Sequence, residues 1–177
     1  MPPELVILYA PPQSGKTQLL LTAVTRWKAL GYQVSGILSP AVFEGGVKTG
    51  IRVYDIRSGE ERHLAQRRTI DDIQDATPGY EFQQENLAWA NERLLNAVPT
   101  EILVIDELGP LELIYHQGWQ NGIAAILSGS YKLALVVVRP SLHDTIRHWG
   151  ITGWVEYSAL TPPGVFDPFL YGGMTNE

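Results

Sequence analysis

A buried-strand pattern runs directly into a Gly-Lys-Thr loop near the start of the chain, and this junction constrains the fold more than any other feature. Residues 4–9 read ELVILY, a short apolar run typical of a strand buried on both faces. Residues 10–17 read APPQSGKT, and residues 16–30 then carry apolar side chains at helical spacing before Gly31. A strand, a loop ending in Gly-Lys-Thr and a helix form the context that a phosphate-binding loop, the Walker A motif, requires.

The loop matches the pattern G-x-x-x-x-G-K-[ST] at its end but not at its start. Ala10 replaces the first glycine, and Gln13 stands where an inner glycine is common. Alanine is the least costly replacement, and the cradle uses backbone N–H groups at a helix N-terminus rather than side chains. We therefore expect Lys16 to reach the β and γ phosphates and Thr17 to bind Mg²⁺, and a chance match is the alternative. The predicted nucleotide-binding residues are Pro12, Gln13, Ser14, Gly15, Lys16, Thr17 and Gln18.

Two adjacent carboxylates follow a second buried-strand run. Residues 102–105 read ILVI, and Asp106 and Glu107 come next, as in a Walker B motif. In a doubly wound sheet, the carboxyl end of a strand opens onto the ligand crevice. In that position Asp106 can hold Mg²⁺. Glu107 can orient or deprotonate an attacking water molecule. The alternative is a solvated turn, but the phosphate loop favours a site.

Two further residues are candidates for the chemistry. Arg139 follows the apolar strand run of residues 133–138, so it is predicted at the ligand edge of the sheet. There it would stabilise charge on the γ-phosphate, unless it lies in solvent or pairs with an acid. Glu112 lies in the same stretch as Glu107 and is the reserve candidate for the base.

Strands alternate with helices along the chain, which predicts an α/β fold with a mostly parallel sheet. By analogy with RecA-like P-loop proteins, we infer the main-strand order 5-1-4-3-2. We expect one domain over residues 1–177, with a hairpin or insertion at about 40–81, irregular structure over 57–81, and a Pro/Gly-rich tail at about 159–177. The predicted main strands are 4–9, 33–38, 102–105, 133–138 and 153–157, and the later helices are 83–98, 118–127 and 141–149.

Composition narrows the class of protein. The chain has 177 residues, of which 45% are apolar, and it carries a net charge of −6. This acidic balance argues against general nucleic-acid binding, and the absence of cysteine excludes disulfides and thiolate zinc sites. The first ten residues carry no Lys or Arg, and no apolar run approaches the length of a membrane span. We therefore expect a soluble, cytoplasmic protein with no signal peptide and no membrane partner.

At this point the sequence resembles a known family. Residues 102–113, ILVIDELGPLEL, are similar to the signature of the small P-loop nucleoside-triphosphatases, the thermophile-type or cancer-related NTPases. The loop with its Pro12 and Gly-Lys-Thr, the hairpin region 36–65 and the helix region 80–97 also resemble that family. The resemblance implies Mg²⁺-dependent hydrolysis of ATP, GTP and other nucleoside triphosphates to diphosphate and phosphate, with weak base selectivity. It also implies that Gly15, Lys16 and Thr17 hold phosphate and Mg²⁺, Asp106 the metal and Glu107 the water.

The chain departs from the family pattern in two places. Residues 39–42 are Ser-Pro-Ala-Val, where the family usually has a threonine and an acid-Val-Arg run. Residues 150–177 contain no clear counterpart of the family's Asn-Arg pair. Two other functions stay open, and Ala10 and Gln13 suggest the second of them. One is a P-loop kinase, in which Glu107 activates a substrate hydroxyl, and the other is a non-catalytic module that binds nucleotide. The sequence identifies nucleotide as a partner but no protein partner.

Overall fold

One nine-stranded sheet organises the described part of the chain, which comprises residues 2–11, 14–68 and 79–171 of a computed structural model. The strands are β1 (Glu4–Tyr9), β2 (Val34–Leu38), β3 (Ala41–Glu44), β4 (Val47–Asp55), β5 (Glu61–Arg67), β6 (Tyr80–Phe82), β7 (Ile102–Leu108), β8 (Leu133–Val138) and β9 (Gly153–Glu156). The helices are α1 (Lys16–Ala29), α2 (Gln84–Leu95), α3 (Pro110–Leu113), α4 (Gln120–Leu127), α5 (His143–Ile146) and α6 (Asp167–Leu170), with 3₁₀ turns at Pro140–Leu142 and Pro163–Phe166.

Five parallel strands form the centre of the sheet in the order β2-β7-β8-β1-β9. This order confirms the predicted main-strand order 5-1-4-3-2. Every residue of β8 is buried, as expected for a parallel strand covered on both faces by helices. The carboxyl ends of β1, β7 and β8 meet at one edge, because the three strands are parallel neighbours.

Alternating residues of the strands belong to two hydrophobic clusters, one on each face of the sheet. One face packs against α1, whose Leu20, Val24 and Trp27 are buried as their spacing predicts. The other face packs against α2 and α4. This double burial holds the strand ends, and the loops that follow them, in place.

Gly36 allows β2 to lie closely against β7. Its φ is +116°, and a Cβ at this position would lie 1.9 Å from the carbonyl oxygen of Val104. Only glycine meets both requirements without moving the backbone. The approach of β2 matters for the site, because Ser39 follows β2 and Asp106 lies in β7.

An antiparallel extension continues the sheet from β2 through β4, β5 and β6. The hairpin of β3 and β4 turns at Gly45 and Gly46, as predicted. The expectation that residues 57–81 are irregular was wrong over β5 and β6. In β5, Leu64 and Ala65 are buried whereas the charged ends are exposed. The charged sequence therefore does not show a strand pattern, because the strand forms by pairing with β4. Residues 69–78 lie outside the described residues.

The C-terminal region also differs from its predicted form. Composition places residues 159–177 in a tail, but residues 163–170 fold into a 3₁₀ turn and α6. Phe166 is fully buried against the α1 face, and Asp167 forms an ion pair of 2.6 Å with Arg26. Together with Leu170, which is also buried in this cluster, Phe166 anchors a segment rich in Pro and Gly.

The later helices are shorter than predicted. The predicted helices 83–98, 118–127 and 141–149 are reduced to α2, α4 and a 3₁₀ turn followed by α5. Apolar spacing marks a helix well but its ends poorly, because the residues beyond each end remain packed. Among the described residues, no helix is long and apolar enough to cross a membrane.

Candidate active site

The carboxyl edge of the sheet carries a cavity of about 760 Å³ that unites most of the predicted site residues. Ser14, Gly15, Lys16, Thr17 and Gln18 of the loop line it, together with Asp106, Glu107, Glu112 and Arg139. Two other predicted residues, Pro12 and Gln13, lie outside the described residues. Residues that are up to 125 positions apart in sequence thus face one space, because their strands are neighbours in the sheet.

The end of the loop is shaped as a turn into the helix. Gly15 has a φ of +87° and precedes α1 directly, and its carbonyl oxygen accepts bonds from the N–H groups of Gln18 and Leu19. A Cβ at Gly15 would lie 3.0 Å from the hydroxyl of Tyr157. The positive φ and this close approach explain the glycine. The free N–H groups at the start of α1 are suited to bind an anion.

Asp106 is nearly fully buried and held by two donors. The Thr17 hydroxyl donates to its Oδ2 at 2.8 Å, and the backbone N–H of Ser39 donates to the same oxygen at 3.0 Å. Its Oδ1 is buried without a hydrogen-bond partner among the described residues. Burial raises the pKa of Asp106, and this effect exceeds the opposing effects of Ser39, Thr17 and Lys16. A buried carboxylate oxygen without a partner is costly unless a cation binds it.

Glu107 lies between two cations. Its carboxylate accepts Lys16 Nζ at 2.9 Å and Arg139 Nε at 2.8 Å. Burial raises the pKa of Glu107, but the charges and hydrogen bonds of Lys16 and Arg139 outweigh it, so the net pKa is lowered. Arg139 therefore lines the cavity at the predicted edge of the sheet, and it also pairs with an acid, as the alternative proposed for it requires.

An irregularity in β7 allows both carboxylates to face the cavity. Adjacent residues of a regular strand point to opposite faces of a sheet. Here Ile105 pairs with Val136 and Leu108 with Val138, so β7 contains one more residue than β8 over this stretch. Glu107 has a φ of +69°, which is rare outside glycine. This bulge redirects the Glu107 side chain into the cavity, and backbone strain of this kind concentrates at functional sites.

Glu112 is buried and holds the turn that follows β7. Its Oε2 accepts the N–H of Gly109 at 2.9 Å, and its Oε1 accepts the N–H of Trp119 at 3.4 Å. Burial raises the pKa of Glu112 to about 7, although these hydrogen bonds oppose the increase. The side chain links α3 to the segment before α4, so its position indicates a structural role.

The raised pKa of Glu112 predicts a measurable pH dependence of stability. Because the folded state holds the proton more tightly than the unfolded state, stability should fall as pH rises from about 4.5 to above 7. A pKa change from 4.5 to about 7 corresponds to about 3 kcal/mol in the free energy of unfolding. We expect Glu112→Gln, which mimics the protonated carboxyl, to unfold like the wild type at pH 5 and to be more stable at pH 8.5.

Urea denaturation of both proteins at the two pH values measures this difference. Glu44→Gln, on the exposed end of β3, serves as the control and should leave the pH dependence unchanged. Parallel pH profiles for Glu112→Gln and the wild type would contradict the assignment.

Sequence reasoning missed one charged residue of the cavity. Lys48 of β4 also lines the cavity, although the sequence shows it only within EGGVKTG, the stretch predicted to form a hairpin turn. No local pattern distinguishes such a lysine, because its position depends on how the hairpin folds over the sheet edge. The basic residues of the next segment do not share this position, since Arg57, Arg62 and Arg67 do not line the cavity.

Three features define a P-loop nucleotide-binding fold of the RecA-like type. They are the strand-loop-helix unit with Gly-Lys-Thr, the acidic pair near the end of β7, and the parallel order β2-β7-β8-β1-β9. Within this class the family is also clear. The sequence model of the family described as NTPase matches residues 5–156, and the chain belongs to that family. The resemblance found in residues 102–113 is thereby confirmed.

Known relatives agree with this assignment. The nucleoside-triphosphatase THEP1 of Caldivirga maquilingensis is 33% identical over 109 residues, covering 61% of this chain and 60% of the relative. THEP1 of Methanopyrus kandleri is 33% identical over 112 residues, covering 63% and 61%. The matched region thus spans about three fifths of these relatives. A human cancer-related nucleoside triphosphatase, solved in solution, has the same fold, with a TM-score of 0.71, 20% identity, and coverage of 98% of this chain and 99% of that one.

Proposed function

We propose that the chain is a Mg²⁺-dependent nucleoside-triphosphatase that converts nucleoside triphosphates to diphosphates and phosphate. The observation that carries the proposal is the position of Glu107. Its carboxylate lies within 2.9 Å of the phosphate-loop lysine and directly follows the buried Asp106. Family membership and the names of the THEP1 relatives support the same reaction. The proposal includes ATP and GTP with weak base selectivity, as the resemblance implies.

One residue of α1 and one residue of β7 together fit a magnesium ion. The donors available are the Thr17 hydroxyl and the Asp106 carboxylate, whose Oδ1 is buried without a partner among the described residues. Mg²⁺ prefers oxygen ligands and is commonly held by one or two protein groups together with substrate phosphates. Within the described residues there is no cluster of three or more His, Cys, Asp or Glu side chains for a metal, which suits a site completed by the nucleotide. Mg²⁺ bound there would neutralise charge on the phosphate oxygens.

Lys16, Arg139 and Glu107 each have a separate role in this reaction. Lys16 and the N–H groups at the start of α1 bind the phosphates, which draws Lys16 away from Glu107. Arg139 is placed to stabilise charge on the γ-phosphate. With its cations engaged by phosphate, the carboxylate of Glu107 becomes a stronger base. It takes a proton from water as the water oxygen bonds to the γ-phosphorus and the bond from the γ-phosphorus to the bridging oxygen breaks.

Phosphate release tests the proposal directly. We expect turnover of ATP, GTP, CTP and UTP in the presence of Mg²⁺, with kcat/KM values within about tenfold of each other, as the weak base selectivity implied by the resemblance predicts. EDTA should abolish release, and added Mg²⁺ should restore it. Binding of nucleotide without any turnover would instead support the non-catalytic module.

The size and lining of the cavity favour a second candidate, a P-loop phosphotransferase. Part of the cavity wall is apolar, and Leu64, Tyr80, Phe82, Leu87 and Trp119 contribute to it. A hydrolase needs room there only for water, whereas a cavity of about 760 Å³ also accommodates an acceptor molecule. In that case Glu107 would take the proton of an acceptor hydroxyl.

The same assay separates these candidates when diphosphate and phosphate are measured together. Hydrolysis releases one phosphate for each diphosphate. Transfer produces diphosphate without free phosphate, and it depends on an added acceptor. Sustained equimolar release from nucleoside triphosphate alone would therefore rule against an obligatory acceptor.

A further inference from the structure

The β3–β4 hairpin brings a third cation to the cavity. Lys48 is the second residue of β4 and lies directly opposite Phe43 of β3 in the hairpin register. Residues opposite each other in an antiparallel pair project to the same face, and both of these side chains line the cavity. The register shifts between Val42 and Phe43, so a bulge sets the direction of this end of the hairpin. Such bulges redirect side chains beside functional sites.

Lys48 differs from the other two cations in having no anionic partner. Lys16 and Arg139 both pair with Glu107, whereas Lys48 forms no hydrogen bond or ion pair among the described residues. Its ammonium lies 5.2 Å from the centre of the Tyr80 ring, a contact that offsets only part of the cost of removing the charge from water. Burial lowers the pKa of Lys48, in part opposed by the charge of Glu107. A half-buried, unpaired ammonium is suited to an anion that arrives with the substrate.

The charges of the cavity suit Lys48 to bind the γ-phosphate of a nucleotide. Lys16 and Arg139 are already neutralised in part by Glu107, and the remaining buried carboxylate, Asp106, is placed for a metal ion. Beside Lys16 and Arg139, Lys48 therefore adds a positive charge that need not leave a carboxylate to meet the charge developing on the phosphate. The hairpin follows β2, on the β7 side of the phosphate loop and away from β9. This is the side on which the γ-phosphate must lie, since the loop lysine and Glu107 meet there.

We propose that Lys48 is a catalytic residue that binds the γ-phosphate and stabilises its transition state, supplied within the chain by the hairpin. The proposal rests on the proposed nucleoside-triphosphatase function and adds a residue that the phosphate loop and the acidic strand do not include. Lys48 would act together with Lys16 and the acidic residues of β7, because it lines the same cavity.

The test compares Lys48→Met and Lys48→Arg with Arg52→Met. Arg52 lies on the same strand but is exposed and pairs with Glu61 at 3.2 Å, outside the cavity, so it controls for loss of a positive charge from the hairpin. We expect Lys48→Met to lower kcat by roughly 10²-fold, the usual effect of losing one donor that stabilises a developing charge. Lys48→Arg should recover most of that loss, and Arg52→Met should match the wild type.

Binding measurements give a readout that a merely structural role would not change. Lys48→Met should bind Mg·ADP like the wild type, but it should lose the gain in affinity that beryllium fluoride or aluminium fluoride gives by occupying the γ-phosphate position. If the wild type shows no turnover, the proposed function fails while these binding data still decide the role of Lys48. An unchanged fluoride-dependent gain, or equal losses of ADP binding and kcat, would overturn the proposal. Lys48→Gln repeats the comparison if the methionine variant does not fold.

Discussion

Replacing Lys16 with alanine is expected to reduce kcat/KM for nucleoside triphosphate by roughly 10³-fold and to weaken Mg·ATP binding. Lys16 is buried at the start of α1 and is the loop's only charged side chain facing the cavity. Its ammonium would bind phosphate both before and during the reaction, so binding and turnover should decline together. Phosphate release and titration with a fluorescent nucleotide measure the two effects separately.

The Lys16 experiment needs a control for charge and for stability. Lys132 is exposed, pairs with Glu101 at 2.6 Å and lies at the opposite end of β8 from the site, so Lys132→Ala should leave both measurements unchanged. Loss of Lys16 also removes one of the two cations of Glu107, which should raise the pKa of that carboxyl. Near-normal turnover in a folded Lys16→Ala protein would show that the loop does not bind the reacting phosphates.

Replacing Glu107 with glutamine should have a different signature. We expect kcat to fall by roughly 10²–10⁴-fold, the contribution typical of a general base. Binding of Mg·ATP should be retained or become tighter, because in the wild type the phosphate must displace the Glu107 carboxylate from Lys16 and Arg139. Glutamine has nearly the same shape but carries no charge and accepts no proton, so it separates catalysis from binding.

Single-turnover kinetics and equilibrium binding together test the Glu107 assignment. Glu112→Gln is the informative comparison, because Glu112 lies in the same cavity and is the reserve candidate for the base. If Glu107→Gln keeps the wild-type kcat and Glu112→Gln loses it, the base is Glu112. The hydrogen bonds of Glu112 to Gly109 and Trp119 argue for the opposite result, since they engage both oxygens of its carboxylate.

The two substitutions together would distinguish the functions that the sequence leaves open. Loss of binding in Lys16→Ala with loss of kcat alone in Glu107→Gln is expected for either phosphoryl-transfer enzyme. A non-catalytic module would show only the first effect. The measured ratio of phosphate to diphosphate then separates hydrolysis from transfer.

Several parts of the site were predictable because their chemistry is local. The order strand, Gly-Lys-Thr, helix places Lys16 and Thr17 at a helix N-terminus, and a buried run before Asp106 places that carboxylate at a strand end. Parallel strands expose their carboxyl ends at one edge, so the meeting of loop and acid followed from the α/β pattern. The observed bond between Thr17 and Asp106 agrees with that expectation.

Other parts could not be predicted, since they depend on contacts between distant segments. A regular strand would send Asp106 and Glu107 to opposite faces, and only the bulge against β8, with the left-handed backbone at Glu107, turns both towards the cavity. The charged residues of β5 form a strand because β4 is available as a partner. The burial of Phe166 likewise depends on the surface of α1, to which no local pattern points.

The sequence by itself therefore determined the class of fold and pointed to the candidate loop and acidic residues, because each depends on short patterns with a known backbone geometry. The strand order came from analogy with RecA-like P-loop proteins. Tertiary structure alone decided which charges meet. It placed Arg139 and Lys16 on one carboxylate and left Lys48 unpaired among the described residues. It also buried Glu112. These outcomes depend on strand pairing and on the path of a hairpin, so they arise from long-range contacts that no short stretch of sequence encodes.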